Sequence, residues 1–289
     1  MGYPKITVVT TNLNQGNFLE LTIQSVINQG YPNLEYIIID GKSTDQSVEI
    51  IKKYETYLTY WESSKDEGMY HAINKGFGLS TGQIMTYLNS DDLLAPRSLF
   101  TIAQIFTDNE TISWVNGFQN IIDELGRYIL VGSIPAWSKY HYLLKQFKFI
   151  QQEGCFWRRD LWDKAGGYIN TNYLYASDLE LWSRFFVFQK LYYVPTILGS
   201  FRRRKGQKSE VYIAKYLEEA EKILLHFIPC TKEERRVVKN CNSLIWRFCC
   251  YINRRKVFIF FGLRNEYEIF FEPKNRLFQD QDTLNFLWR

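Results

Sequence analysis

Tyr87-Leu88-Asn89-Ser90-Asp91-Asp92 decides the fold: an apolar run, Ile84 to Leu88, stops abruptly at two adjacent carboxylates. Gly82 precedes the run and Pro96 follows it, so it reads as a buried parallel strand ending in a loop. Open α/β sheets bind ligands at the carboxyl ends of their strands. Two acids there can hold a hard divalent cation through oxygen, with water and substrate phosphates filling the remaining positions. They can also cap a helix that starts near Pro96.

Upstream, Ile6 to Thr10 is a β-branched strand followed by the loop Asn12-Leu13-Asn14-Gln15-Gly16. Phe18, Leu19, Leu21, Thr22, Ile23, Val26 and Ile27 then recur at helical spacing. Leu34 to Ile39 is a second strand, closed by Asp40-Gly41-Lys42-Ser43-Thr44-Asp45, and a second helix runs through Val48, Ile50 and Ile51. A short strand near Leu58 to Trp61 and a helix from Met69 to Phe77 continue the series. Such βαβα alternation predicts a doubly wound, mostly parallel sheet with right-handed crossovers.

Three strand ends carry an amide-rich or acidic loop, at Asn12/Asn14, Asp40 and Asp91/Asp92, which suits a nucleotide pocket. No GxGxxG follows the first strand and no GxxxxGK[ST] occurs anywhere, so glycine-loop cradling of phosphates is not expected. A cation at Asp91 and Asp92 would neutralise the phosphates instead, which favours the metal over the cap. Asp40 suits a ribose or base edge, and equally a turn carboxylate.

Downstream the regularity fades. Pro96 to Phe106 reads as a helix, Ile112 to Val115 and Tyr128 to Val131 as strands, and Asp123-Glu124-Leu125-Gly126 as a turn. This half is expected to face the acceptor. In Ser177-Asp178-Leu179-Glu180-Leu181-Trp182, Asp178 stands at a helix entrance, where it is a base held rigidly or a member of an N-cap. Arg202-Arg203-Arg204-Lys205-Gly206-Gln207-Lys208 is a solvated loop or a clamp for a leaving diphosphate.

With 289 residues, 46% of them hydrophobic, the chain can bury one large domain with an appendage. Its net charge of +4 is too small to argue for nucleic acid. From Cys230 to Arg289 there are 12 Lys+Arg against 7 Asp+Glu, so the basic excess belongs to the tail. The 5 cysteines include no CxxC, which speaks against a disulfide framework or a zinc site. Met1-Gly2-Tyr3-Pro4-Lys5 runs into the first strand, so the sequence reads as cytoplasmic without a signal peptide. Val211 to Phe227 predicts a helix with Ile213, Tyr216, Leu217, Ala220, Ile223, Leu224 and Phe227 on one face. Residues 244–261 interleave aromatics with cations, which suits peripheral contact with an anionic inner membrane face or packing on the core.

Five stretches in order resemble the GT-A fold glycosyltransferases of family 2, and among them the bacterial colanic acid and exopolysaccharide enzymes. They are Val8-Val9-Thr10-Thr11-Asn12-Leu13-Asn14, Glu35 to Asp45, Asp66-Glu67-Gly68 with Ala72-Ile73-Asn74-Lys75-Gly76, Asn89-Ser90-Asp91-Asp92, and Ala176 to Trp182. The resemblance implies a nucleotide-sugar donor, most often a UDP-sugar, with Thr11, Asn12, Asn14, Asp40 and Asp66 around the nucleoside. It implies Asp91 at the ribose or diphosphate, and Asp92, with Asp91, on Mn²⁺ or Mg²⁺. It further implies Asp178 as the base of an inverting reaction, Arg202, Arg204 and Lys205 at the diphosphate, and a saccharide or lipid-linked saccharide as acceptor.

The chain departs from the family pattern in three places: Thr11 replaces a proline, Lys42 a glycine, and Lys205 or Gln207 a histidine of the basic loop. The expected organisation is a GT-A domain over 1–209, with a nucleotide-sugar half of about 1–110 and an acceptor half of about 111–209. A helical, aromatic and basic extension over 210–289 would follow. Two other classes compete. A sugar nucleotidyltransferase would carry an arginine in the loop after the first strand, and an inactive scaffold of the same fold would be expected to lack Asp92 or Asp178.

Overall fold

The computed structural model describes residues 2–132, 140, 143–144, 149–225, 231–252, 254–264, 277–279 and 286–288. Strand β1 (Ile6–Asn12), helix α1 (Gly16–Ile27), β2 (Leu34–Asp40), α2 (Ser47–Lys53), β3 (Tyr60–Ser63), α3 (Met69–Leu79) and β4 (Ile84–Asn89) follow one another. Every residue of β1 is buried. A strand covered by helices on both faces needs a continuous apolar run instead of an alternating one, and the near-unbroken Ile/Val/Leu content of β1, β2 and β4 meets that need.

The main sheet has the order β10-β6-β9-β4-β1-β2-β3 among the described residues. Here β6 is Trp114–Asn116, β9 is Cys155–Arg158 and β10 is Tyr192–Tyr193. Strands β1 to β4 are mutually parallel, and β9 runs antiparallel between β4 and β6. The expected mixed, mostly parallel sheet flanked by helices is therefore the fold observed. The chain winds outward from β1 through β2 to β3, then returns to the other side of β1 as β4. The carboxyl ends of β1 and β4 thus flank a switch point, where such sheets leave a ligand crevice. Thr11 pairs with Asn89 across it, and Asn12 pairs with Asp40.

One apolar layer contains Val9, Ile37, Phe77, Met85, Trp114, Trp157, Trp182 and Phe185. The other contains Ile6, Val8, Leu19, Ile23, Leu88, Leu99, Ile102 and Phe106. Both layers draw on residues from before and after position 110. Helix α4 is Ser98–Asp108, and α5 (Arg159–Lys164) precedes α6 (Ser177–Phe188), which buries Leu181, Trp182, Phe185 and Phe186 as its spacing predicts.

A second sheet, ordered β5-β11-β7-β8, brings the basic segment to the acids. Strand β5 is Leu93–Leu94, directly after Asp92, β7 is Asn120–Ile122, β8 is Tyr128–Val131, and β11 is Gly199–Arg202. Leu94 pairs with Gly199 and Leu93 with Ser200, which delivers Arg202 beside Asp91 and Asp92. Strand β7, three residues long, is too short for alternation to announce it. Strands β3 and β6 each begin two residues later than expected.

Gly199 is indispensable to this junction: a Cβ there would stand 1.9 Å from the backbone oxygen of Glu153 and 2.5 Å from its carbonyl carbon. Neither atom is the end of a flexible side chain. Gly199→Ala is therefore expected to cost about 3 kcal/mol, read as a lowered urea midpoint. The control Gly78→Ala, on an exposed helical site with nothing within 4 Å, should stabilise by a few tenths to about 1 kcal/mol.

After α7 (Lys208–Val211), α8 (Ile213–Leu225) buries Ala220 and Ile223 in the same layer as Trp182, with Tyr216 and Leu224 packed against it. Ile213 and Leu217, expected on that face, are exposed, and Phe227 lies outside the described residues. Helices α9 (Lys232–Cys241), α10 (Leu244–Ile252) and α11 (Arg255–Phe260) close a separate small cluster around Trp246, Cys249 and Phe258. A strand pair of β12 (Leu277–Gln279) and β13 (Phe286–Trp288) follows. No described helix is long and apolar enough to cross a membrane.

Candidate functional site

At the end of β1, Asn12 is buried and its Nδ2 donates to Asp40 Oδ1 at 2.7 Å and to Ser43 Oγ at 3.1 Å. Its Oδ1 is buried without a partner, an acceptor that a donor group on a ligand would satisfy. Thr11 is buried inside β1 itself. Asn14 braces the facing loop: its N–H donates to Ser43 Oγ at 2.8 Å, and its Oδ1 accepts the Thr44 N–H at 2.8 Å.

Asp40 is fully buried, and its oxygens accept from Asn12, from the Ser43 N–H and hydroxyl, and from the Ser63 hydroxyl at 2.5 to 2.9 Å. In this geometry it organises the loop that borders the crevice. Asp66 is the more open carboxylate: its Oδ1 accepts the Gly68 N–H at 2.9 Å, and its Oδ2 faces Gly41, where a Cβ would stand 2.9 Å away. Lys42 has φ +64°, a left-handed conformation that suits the glycine usual there in the resembled family. Lys42→Gly is expected to raise stability by roughly 0.5–1 kcal/mol, measured as a shifted urea midpoint.

At the end of β4 the two acids differ. Asp92 is 1% exposed; its Oδ1 accepts the Arg202 N–H at 2.8 Å and its Oδ2 accepts from Asn89 Nδ2 at 3.1 Å. It also hydrogen-bonds Glu153, and burial raises both carboxyls well above the usual range. Asp91 is 8% exposed, and its Oδ2 accepts from Arg204 Nε at 2.9 Å. Of the two acids expected to meet a cation, Asp91 is the more exposed and Asp92 the more buried. Beside it, Asn89 Oδ1 is buried with no partner. This is a hard, oxygen-only donor set, as Mn²⁺ or Mg²⁺ requires. No cluster of three His, Cys, Asp or Glu able to hold a metal occurs among the described residues, so water and substrate oxygens would complete the shell.

The basic residues also take separate roles. Arg202 is fully buried; its Nε donates to the Asp91 carbonyl at 2.6 Å, and its Nη1 to the carbonyls of Asp123 and Glu124 at 2.9 Å. It is an internal counter-charge to the acid pair. Arg204 is part-buried, and both guanidiniums lie over the ring of Phe18, at 5.0 and 5.9 Å. Lys205 is exposed in the following turn. Gln207, where the resembled family often has a histidine, donates to the Arg202 carbonyl at 2.9 Å and so ties the loop to the sheet.

Asp178, the second residue of α6, is part-buried, and its Oδ1 accepts the Leu179 N–H at 2.8 Å. Burial pushes its carboxyl up to about 6. Its charge in turn helps raise Tyr70, Tyr87 and Glu153, which ties it to the acidic end of β4. Neither Ser177 nor Asp178 is the N-cap; that residue is Ala176, which makes no side-chain cap. Glu153, on a short helical turn under the acids, was missed from sequence because a lone Glu among glutamines carries no motif.

The family model for Glycosyl transferase family 2 matches residues 7–165. The chain belongs to glycosyl transferase family 2. An uncharacterised glycosyltransferase of Haemophilus influenzae is 26% identical over 232 residues, covering 76% of this family 2 chain and 72% of the relative. Glycosyltransferase GlyA of Streptococcus pneumoniae is 23% identical over 237 residues, 74% of this chain and 32% of that one. The fold resembles S. aureus TarS 1–349 in complex with UDP, with TM-score 0.59, 15% identity, and coverage of 81% of this chain and 69% of that one. It also resembles the mannosyltransferase PcManGT of Pyrobaculum calidifontis in complex with GDP-Man and Mn²⁺, with TM-score 0.55, 14% identity, and coverage of 93% and 86%.

Proposed function

We propose that this family 2 glycosyltransferase is inverting and metal-dependent. In this reading it moves one sugar from a nucleotide-sugar, a UDP-sugar first, to a saccharide or lipid-linked saccharide acceptor in surface polysaccharide synthesis. The observation that carries it is the part-buried Asp178 carboxylate at the entrance of α6, whose charge helps raise the buried Glu153 beside Asp92.

Inversion asks for one base opposite the leaving group. The acceptor oxygen attacks the anomeric carbon, its proton passes to Asp178 Oδ2, and the electron pair of the breaking C–O bond leaves on the diphosphate. A bound divalent cation supplies charge neutralisation on that diphosphate. Asp91 and Asn89 Oδ1 would hold it, with Asp92, bonded to Arg202 and Glu153, fixing the end of the strand. Arg204 and Lys205 bring positive charge to the same end, while Asn12, Asn14, Asp40 and Asp66 shape the nucleoside side, with Thr11 within the strand beneath.

Calorimetric titration with UDP and with GDP, each with Mn²⁺ and with chelator, tests the donor site. Metal-dependent binding of UDP is expected; folded protein that binds neither nucleotide would refute the assignment.

Peripheral attachment to the inner face of a membrane is part of the same reading. Leu244, Tyr251 and Phe260 are 80%, 90% and 82% exposed, and Arg247, Arg254 and Lys256 are exposed among them. Apolar side chains interleaved with cations favour anionic lipid. The protein is expected to co-sediment with phosphatidylglycerol-containing vesicles and not with neutral ones, and Phe260→Glu should weaken the association.

A further inference from the structure

We infer that Glu219 of α8 is a positioning residue for Asp178, so that a helix beyond residue 209 completes the catalytic site. The inference rests on the assignment of Asp178 as the base.

Glu219 Oε1 accepts the Leu174 N–H at 2.9 Å, and its Oε2 accepts the N–H groups of Tyr175 and Ala176 at 2.8 and 2.9 Å. These three successive amides lead directly into α6, two residues before Asp178. A helix start normally draws its cap from a Ser or Asp of its own chain segment. Here the local side chains point elsewhere: Ser177 Oγ donates to the carbonyls of Asn170 and Tyr173, at 2.8 and 2.6 Å, and Asp178 Oδ1 serves Leu179. The entrance of α6 is therefore held by a carboxylate from another helix, with its charge placed favourably at the N-terminal end.

Both ends of the segment are pinned. Asn74 of α3 clasps Ile169, accepting its N–H at 2.7 Å and donating to its carbonyl at 2.8 Å. At the other end Glu219 is fixed because the next residue, Ala220, and Ile223 are buried among Leu179, Leu181 and Trp182. Three charge-assisted bonds on one carboxylate make the loop and α8 move together. A base displaced by a fraction of an ångström loses rate while the distant nucleotide still binds.

The ionisable groups around Asp178 are Tyr70 of α3, Tyr87 of β4, Glu153, Cys155 of β9 and Glu219. Glu219 contributes its negative charge to holding the Asp178 proton, so neutralising it should make Asp178 more acidic.

The test uses the full chain, with Glu219→Gln as the isosteric variant and Glu219→Asp as the charge-keeping one. Amide exchange at Leu174 to Ala176 and the carboxyl NMR titration of Asp178 need no substrate. Glu219→Gln is expected to speed exchange at these amides at least tenfold and to lower the Asp178 midpoint. Glu219→Asp should keep the midpoint near that of the parent. With the UDP-sugar among UDP-glucose, UDP-galactose and UDP-N-acetylglucosamine that gives the fastest UDP release, kcat should fall about tenfold or more in Glu219→Gln, with UDP affinity within twofold. Unchanged exchange and an unchanged Asp178 midpoint in folded Glu219→Gln would overturn the inference, as would UDP affinity falling in step with kcat. If Glu219→Gln does not fold, Glu219→Asp decides by whether exchange at the three amides rises. Loss of the base assignment itself would show separately, as undiminished turnover in Asp178→Asn.

Discussion

Asp178→Asn is expected to cut kcat by about 10² to 10⁴, the range for removing a positioned general base, while making the protein more stable above pH 6. Asn keeps an oxygen for the Leu179 N–H, so the start of α6 should survive the change. The stability gain follows from the sign of the shift. Burial raises the Asp178 carboxyl from an ordinary 3.8 to about 6, so the folded chain binds this proton more tightly than the unfolded one. The associated stability is fully present below pH 4 and is lost as pH rises through 6. Above that, the ionised, part-buried group costs on the order of 1–3 kcal/mol, a cost that Asn does not carry. Urea midpoints at pH 4 and pH 8 should show no gain at the lower pH and a clear gain at the higher. The parent's kcat should fall on an acid limb near pH 6, because the base must be ionised to accept the acceptor's proton. A variant that keeps parental turnover would remove Asp178 from the chemistry.

The parallel half of this fold is legible in the sequence because each buried strand is a long β-branched run and each helix a clear period of 3.6. Ile6–Asn12 and Ile84–Asn89 declare both themselves and the loops at their ends. What connects Asp92 to Arg202 is not legible: a two-residue strand, Leu93–Leu94, pairs with Gly199 and Ser200 more than 100 positions later. Local pattern has no access to such a pairing, so the basic run read as a solvated loop or a diphosphate clamp, with no sign that its first arginine is wholly internal. Glu153 and Glu219 were invisible for a related reason. Each acts through backbone groups or carboxyls far away in sequence, and neither stands in a spacing that chemistry demands. Lys42 shows the reverse case: the glycine usual at this place in the resembled pattern is accounted for by a left-handed backbone angle that the sequence does not reveal.

Asp91→Asn and Asp92→Asn are expected to separate the acid that meets a cation from the acid that holds the frame. Asn at 91 can still accept from Arg204 Nε, so the local fold should persist, but a neutral oxygen is a much weaker ligand for a hard divalent ion. The Mn²⁺-dependent part of UDP binding should drop by about 30-fold or more, some 2 kcal/mol, with binding in chelator unchanged. At 92 the carboxylate lies beside Glu153 and accepts the Arg202 N–H in full burial. Its amide replacement removes a like-charge contact and keeps an acceptor, so metal-dependent binding should fall by less than tenfold. Asp92→Ala is a different matter: it strips the acceptor from the Arg202 N–H and leaves Glu153 alone in an apolar setting, at a cost of about 2–4 kcal/mol. Calorimetry on the two Asn variants and a urea melt of the Ala variant give three independent readings. Should Asp92→Asn lose the metal-dependent binding and Asp91→Asn retain it, the cation belongs on the buried acid. Arg202 and Glu153 would then have to give up their hold on it each time the donor binds.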